Sequence, residues 1–302
     1  MKFVIYNKQK ISKLSLGTVQ FGLDYGIANS EGKPTQNRVD EIVNYIYENG
    51  LNCFDTAQAY GNAEEVLGKS LADKSDIVIV SKLKSELFEE NLDKNISKTL
   101  DNLQQKTVFG LLLHDSELLY RWSQKHSSLV QQLVKDKKID YFGVSIYSNE
   151  DFELAINNDN IQIIQIPFNL FDQRAVTQRW LERAKEANKL IFIRSIFLQG
   201  LFFMNKDELK GNLAKVKPYL ERLKELEQKL NLSTAELAMA YVESVAKESV
   251  LLFGCDSLVQ AKENILNYEQ LAILKQESLD EIKELFSTIP KEITNPTLWR
   301  VS

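Results

Sequence analysis

The 302-residue chain sets 37 Lys and Arg against 42 Asp and Glu, for a net charge of -5, and carries two His and two Cys. An acidic balance offers no basic face for a phosphate backbone and argues against a nucleic-acid partner. No run of ~20 apolar residues offers a membrane span, and the first residues lack the apolar stretch of a signal peptide. Cys53 and Cys255 are too few for a disulfide framework, and two His leave little room for a metal site. The chain reads as soluble and cytoplasmic, with no metal.

In chain order, Met1 to Leu14 holds alternating Phe3, Ile5 and Ile11, which predicts a small hairpin. A repeating unit follows, in which a short apolar run leads through a polar turn into an amphipathic helix. The runs are Leu14–Gly17, Asn52–Asp55, Ile77–Val80, Phe109–Leu113, Tyr141–Val144, Ile161–Ile166, Leu190–Ile193 and Val250–Phe253. Most are continuously apolar, as parallel strands buried on both faces are. Helical patterns lie between them, at Arg38 to Glu48, Glu64 to Ala72, Asn91 to Leu103, Leu118 to Lys135 and Gln178 to Ala187. Ser233-Thr234-Ala235-Glu236 is a capping box opening a further helix toward Val245. About 60 residues separate the last two runs, so an extra loop or helix lies there. Ser287 to Ser302 suits an irregular tail.

Eight strand candidates alternating with helices predict a (β/α)8 TIM barrel, closed at its lower end by the hairpin and formed by residues 1–302 as one domain. A doubly wound sheet would show a Gly-rich phosphate loop after an early strand, and neither GxGxxG nor GxxxxGK[ST] occurs.

Reactive groups of such barrels project from the C-terminal ends of the strands. Asp55 follows the second barrel strand, Tyr60 lies five residues beyond, Lys82 follows the third and His114 the fourth. Alone, each has an ordinary structural reading, as a helix cap or a rim residue. Their co-occurrence on consecutive strand ends favours chemistry. His126, between Lys125 and Ser127, reads as an exposed helix residue, and Cys255 as a small apolar filler.

The sequence resembles the aldo/keto reductase superfamily, bacterial type, from about Lys13 to Asn267. Leu16-Gly17-Thr18-Val19-Gln20-Phe21-Gly22 looks like its first-strand motif. Phe54-Asp55-Thr56-Ala57-Gln58-Ala59-Tyr60-Gly61-Asn62-Ala63-Glu64 resembles its long FDTAxxYGxxE signature. Val80-Ser81-Lys82, Leu113-His114-Asp115, Gly143-Val144-Ser145 and Gln199-Gly200-Leu201 resemble later strand ends. The resemblance implies a tetrad of Asp55, Tyr60, Lys82 and His114 that reduces an aldehyde or ketone with a nicotinamide hydride, Tyr60 giving the proton. A free Tyr has a pKa near ~10, and a neighbouring Lys⁺ held by Asp55 is expected to lower it. His114 would stabilise charge on the carbonyl oxygen.

The same resemblance implies cofactor contacts. Gly17 and Thr18 lie at the first strand end; Ser145 and Gln165 match residues that hold the carboxamide, although Ile146 stands where Asn is usual. Arg194 stands where many relatives stack an aromatic on nicotinamide, and Ser195, Phe197 and Gly200 would border the pyrophosphate. Gly254, Cys255, Asp256, Ser257, Gln260, Glu263 and Asn264 match the segment that wraps the adenosine end. NADPH is the expected cofactor by family frequency, with NADH left open because this segment carries Asp256 and no Arg; Lys262 is the basic group nearest in sequence. Phe21, Tyr25, Phe168, Phe171 and Phe197 would line an aromatic mouth, and Trp299 would either line it or pack under the tail. The Leu23–Ile27 segment resembles members associated with surface-sugar biosynthesis, which points to a sugar-type carbonyl as the small-molecule partner. The assembly would be a monomer or small homo-oligomer. The alternative is a regulatory protein that senses nicotinamide on the same barrel with little turnover; a glycoside hydrolase and a Schiff-base aldolase rank lower for want of paired carboxylates or a second Lys.

Overall fold

A computed structural model of the chain describes residues 1–27, 29 and 32–300. Strands β1 (Phe3–Tyr6) and β2 (Gln9–Ser12) form an antiparallel hairpin. Asn7 and Lys8 turn it with φ of 45° and 74°, the left-handed pair that suits a two-residue loop. That loop sets Val4 opposite Ile11, so these two share a face, and Tyr6 joins them. Val4, Tyr6 and Ile11 pack against Cys53, Val78, Phe109 and Val250. The inward set is therefore not Phe3 and Ile5: Ile5 is 64% exposed and Phe3 lies under the Lys10 ammonium. Alternation in a strand leaves two faces to choose from, and here the turn register makes the choice.

Eight parallel strands close into a barrel: β3 (Leu14–Gly17), β4 (Cys53–Asp55), β5 (Val78–Leu83), β6 (Val108–Leu113), β7 (Ile139–Ser145), β8 (Ile163–Pro167), β9 (Leu190–Arg194) and β10 (Val250–Gly254). Successive strands are neighbours, and β10 pairs with β3 to complete the ring. The strands are apolar throughout because they are buried twice. Val78, Val80, Leu112, Ile163, Phe192 and Leu252 fill the interior, while Ile79, Leu111, Ile164, Ile193 and Phe253 pack under the helices. Full burial of one such side chain contributes roughly 1.5–3 kcal/mol.

The helices follow the sequence pattern with local adjustments. A helix spans Ser85–Leu103, broken at Asn91 (φ −157°), whose side chain accepts from Lys94 N and starts the helix afresh. The pattern at Leu118 to Lys135 divides into a 3₁₀ turn, Glu117–Arg121, and a helix, Gln124–Lys135. Ser123 and His126 form the capping box of that helix, with Ser123 N donating to His126 Nδ1 at 3.1 Å. His126 is thus buried at 7% exposure, against Trp122 and Phe88, and is not a surface residue. Between β9 and β10 lie three 3₁₀ turns and two helices, Lys217–Leu230 and Thr234–Val245. The tail carries a short helix, Lys291–Thr294, and a 3₁₀ turn, Pro296–Leu298; its last two residues lie outside the described ones. No helix among the described residues is long and apolar enough to cross a membrane.

Ile11 plugs the barrel base with no exposed surface. Ile11→Ala should cost about 2–5 kcal/mol in urea denaturation while leaving the mouth unchanged. A loss below 1 kcal/mol would show that the hairpin is only laid against the barrel.

Candidate active site

Strand alternation puts the reactive groups in the barrel mouth. Inward positions run Val78, Val80, Lys82 along β5; Leu112 then His114 past β6; Ile163 then Gln165 along β8; and Phe192 then Arg194 along β9. One step beyond the last apolar layer, each strand changes to a polar or charged residue. Tyr60 reaches the same place from a turn after β4. Its backbone is clamped: a Cβ on Gly22 would lie 1.7 Å from the Tyr60 carbonyl oxygen, and one on Gly61, at φ +60°, would lie 2.4 Å from the Gly22 oxygen. These glycines let two backbones touch where any side chain would push Tyr60 away. Beside them Glu64 is buried, accepting from Ser81 Oγ at 2.7 Å and from Asn102 Nδ2 at 3.3 Å, which ties the turn to β5.

At the floor, Lys82 Nζ donates to Asp55 Oδ1 at 2.5 Å and to the Thr56 carbonyl at 2.9 Å, and lies 3.5 Å from Tyr60 Oη. The other Asp55 oxygen accepts from Gln165 Nε2 at 2.8 Å. The imidazole of His114 meets the Tyr60 ring edge-on at 5.4 Å, and its Nδ1 is buried without a partner. Burial is the largest influence on Lys82, His114 and Tyr60. It holds the Lys82 ammonium below its usual range against the upward pull of Asp55. It pushes the His114 imidazole down to about 4, helped by the Lys82 and Arg194 charges. The Tyr60 phenol moves up, by burial and then by the Asp55 charge, with Arg194 opposing. The expectation that Lys82 lowers the phenol is therefore corrected: desolvation outweighs the neighbouring charges and the phenol moves up.

A cavity of about 720 Å³ opens above this floor. Asp55, Tyr60, His114, Ser145, Gln165 and Arg194 line its floor, Gly17 and Thr18 line it beside Gly254 where β3 pairs with β10, and Ser195, Phe197 and Gly200 also line it. Gly254, Asp256, Gln260, Glu263 and Asn264 line the other end, the last three on one face of the helix Leu258–Glu269. Lys82 lies beneath the lining. Two expected residues do not reach the cavity: Cys255 is wholly buried with its thiol pushed up, and Ser257 caps the helix by accepting from Gln260 N. Lys262 turns outward over the Tyr45 ring.

The mouth also differs from the expected one. Tyr25 and Phe197 line it, but Phe21, Phe168 and Phe171 are buried in the core. Trp299 packs under the tail, its Nε1 donating to the Ile293 carbonyl. Tyr147, Phe203, Gln20, Asn29 and Thr297 line the cavity without having been singled out. Tyr147 had a signal, since it stands two residues beyond Ser145. Thr297 had none, because the tail is carried there by Asn212, which bonds Leu298 O and Arg300 N.

A closed parallel barrel with an acid, an ammonium, a phenol and an imidazole at its C-terminal mouth defines an enzyme-type (β/α)8 protein. The aldo/keto reductase family model matches residues 13–286. A probable aldo-keto reductase of Glycine max is 25% identical, over 93% of this chain and 86% of its own. Among solved structures, the holo form of an aldo-keto reductase from Bacillus halodurans is similar at TM-score 0.74 and 19% identity, over 97% of this chain and 99% of that one. An aldo/keto reductase from Klebsiella pneumoniae, in complex with NADP and acetate, is similar at TM-score 0.71 and 19% identity, over 95% and 96% of the two chains. The chain belongs to the aldo/keto reductase family and is an oxidoreductase.

His114 yields a pH prediction. Its folded value of about 4 lies below the ~6.5 of an unfolded His. The unfolded chain takes up this proton first, so the stabilisation is whole above about 6.5 and is lost as pH falls through about 4. The imidazole resonance that disappears in His114→Gln should titrate near pH 4, and that variant should lose less stability on acidification. A midpoint near 6.5 would contradict a desolvated, neutral imidazole.

Proposed function

We propose that this protein reduces the carbonyl group of a small aldehyde or ketone to an alcohol with NADPH, and that Tyr60 gives the proton. The observation that carries the reading is the buried set at the barrel floor: Asp55 on Lys82, and Lys82 beside the Tyr60 hydroxyl. A dinucleotide suits the cavity, which runs from that floor to the helix face of Gln260, Glu263 and Asn264 and holds in its lining the buried, unpartnered Gln20 Oε1. Ser145 and Gln165 would hold the carboxamide end, with the Gln165 amide nitrogen also serving Asp55. NADP bound to the Klebsiella relative supports the phosphorylated cofactor. Asp256 and Glu263 in the lining place negative charge toward the far end, so NADH belongs in every assay.

The cofactor supplies a hydride to the carbonyl carbon. As the oxygen becomes an alkoxide, Tyr60 Oη transfers its proton to it. The phenolate left behind is met by the Lys82 ammonium, which Asp55 keeps charged despite its burial. His114, neutral above about pH 4, offers the carbonyl oxygen an N–H and no proton. Tyr25, Tyr147 and Phe197 provide apolar faces and Gln199 provides an amide, a mixture that suits a polyhydroxylated carbonyl such as a sugar derivative.

A panel of aldehydes, ketones and oxidised sugars with NADPH and NADH tests the reading through loss of reduced-cofactor absorbance. Tyr60→Phe should lower kcat by roughly 10²–10⁴ with cofactor binding retained. Turnover undiminished in that variant would remove Tyr60 as the donor.

A further inference from the structure

Among the residues lining the cavity, Arg194 carries a positive charge and makes no ion pair with any described residue. It stands at the end of β9 on the inward side. Its guanidinium lies 3.9 Å from the centroid of the Tyr147 ring. Nη2 donates to the Ile146 carbonyl at 3.0 Å, and Nε lies 3.4 Å from Ser145 Oγ. All three partners come from the end of β7 and its following turn, and all are neutral. The plane is thus held from one side, and its charge stays in the cavity. The carboxylate nearest in role, Asp55, is already engaged by Lys82 and Gln165.

A cation fixed in a partly buried cavity repels a second cation brought beside it. The oxidised nicotinamide ring carries a positive charge, and the reduced ring carries none. The rest of the dinucleotide is common to both forms and cancels in their ratio. At an effective dielectric of ~20, two unit charges about 6 Å apart repel by the equivalent of roughly a hundredfold in binding constant.

We propose that Arg194 makes this site discriminate between the oxidation states of its cofactor, holding the reduced nicotinamide more tightly than the oxidised one. The inference rests on the proposed function, in that nicotinamide occupies the Tyr60 end of the cavity. Reduced cofactor then loads in preference and the spent form leaves more readily, while the overall equilibrium of the reaction is unchanged. Tyr147 and Ser145 act as positioning residues that keep the guanidinium from swinging to solvent.

Equilibrium titrations with NADPH and NADP⁺, and with NADH and NAD⁺ alongside, test this without turnover. The wild-type protein should bind the reduced form at least about tenfold more tightly. Arg194→Gln should shrink that ratio by about tenfold or more, mainly by tightening the oxidised form, and Arg194→Lys should preserve it. Arg194→Met, which keeps an unbranched stem, serves as a second neutral variant should Arg194→Gln melt early. Equal ratios in the wild-type and neutral variants overturn the proposal, as does a parallel weakening of both forms or a loss of the ratio in Arg194→Lys. Failure of all four dinucleotides to bind the wild-type protein would instead refute the nicotinamide reading itself.

Discussion

The ion pair between Asp55 and Lys82 is the constraint on which the mouth of this barrel is built. Both side chains are almost wholly buried, and each alone would carry a large desolvation cost. Their contact at 2.5 Å offsets part of it, and the remaining valences are used nearby: Lys82 donates to the Thr56 carbonyl and Asp55 accepts from Gln165. Three strands, β4, β5 and β8, thereby meet at one polar knot. Removing either charge would leave its partner buried and unpaired, a loss of roughly 3–5 kcal/mol. The pair is costly for stability alone, since an apolar layer could fill the space. What the pair does for the site is to fix the Lys82 Nζ 3.5 Å from the Tyr60 hydroxyl, with Asp55 opposing the loss of its proton.

The phenol has its own mechanical support. Tyr60 sits on a turn, where loops are ordinarily free to shift. The Gly22 and Gly61 backbones touch beneath it, and Glu64 pins the next helix to β5 through Ser81. Loop freedom is thus exchanged for a fixed Oη position. Electrostatics and packing act together here: the burial that raises the phenol also lowers the dielectric through which Lys82, itself wholly buried, acts on it. Under the proposed mechanism a proton held firmly in the resting site would leave once an alkoxide formed within reach, the ammonium facing the new phenolate.

The fold was largely legible in the sequence because parallel barrel strands are buried on both faces and read as uninterrupted apolar runs. Asp55, Tyr60, Lys82 and His114 were legible as well, since strand ends and the FDTAxxYG signature coincide, and the structure brings all four together. What escaped had physical causes. The hairpin offers two alternating faces, and only the Asn7-Lys8 turn selects Val4 over Ile5. Phe168 and Phe171 are aromatic near strand ends, but composition gives no direction, and both turn into the core. The sign of the Tyr60 shift depends on how much burial outweighs a neighbouring charge, a magnitude no spacing encodes. Thr297 reaches the cavity through tertiary contacts of the tail with Asn212, which leave no local pattern.

The cavity is polarised from end to end. At its floor lie Lys82, Arg194 and a neutral His114 with one carboxylate, Asp55; elsewhere Asp256 and Glu263 enter the lining. A surplus of positive charge at the floor favours any step in which negative charge gathers on oxygen, and opposes one in which a cation is left behind. Reduction of a carbonyl does both at once, producing an alkoxide on one partner and a cationic ring on the other. In the proposed reduction the Tyr60 proton would quench the alkoxide within the same step, whereas the oxidised ring would keep its charge until it left. On that reading the same cations would both steady the developing alkoxide and raise the free energy of the spent complex, so that one arrangement of charge would serve the chemical step and the release that follows it.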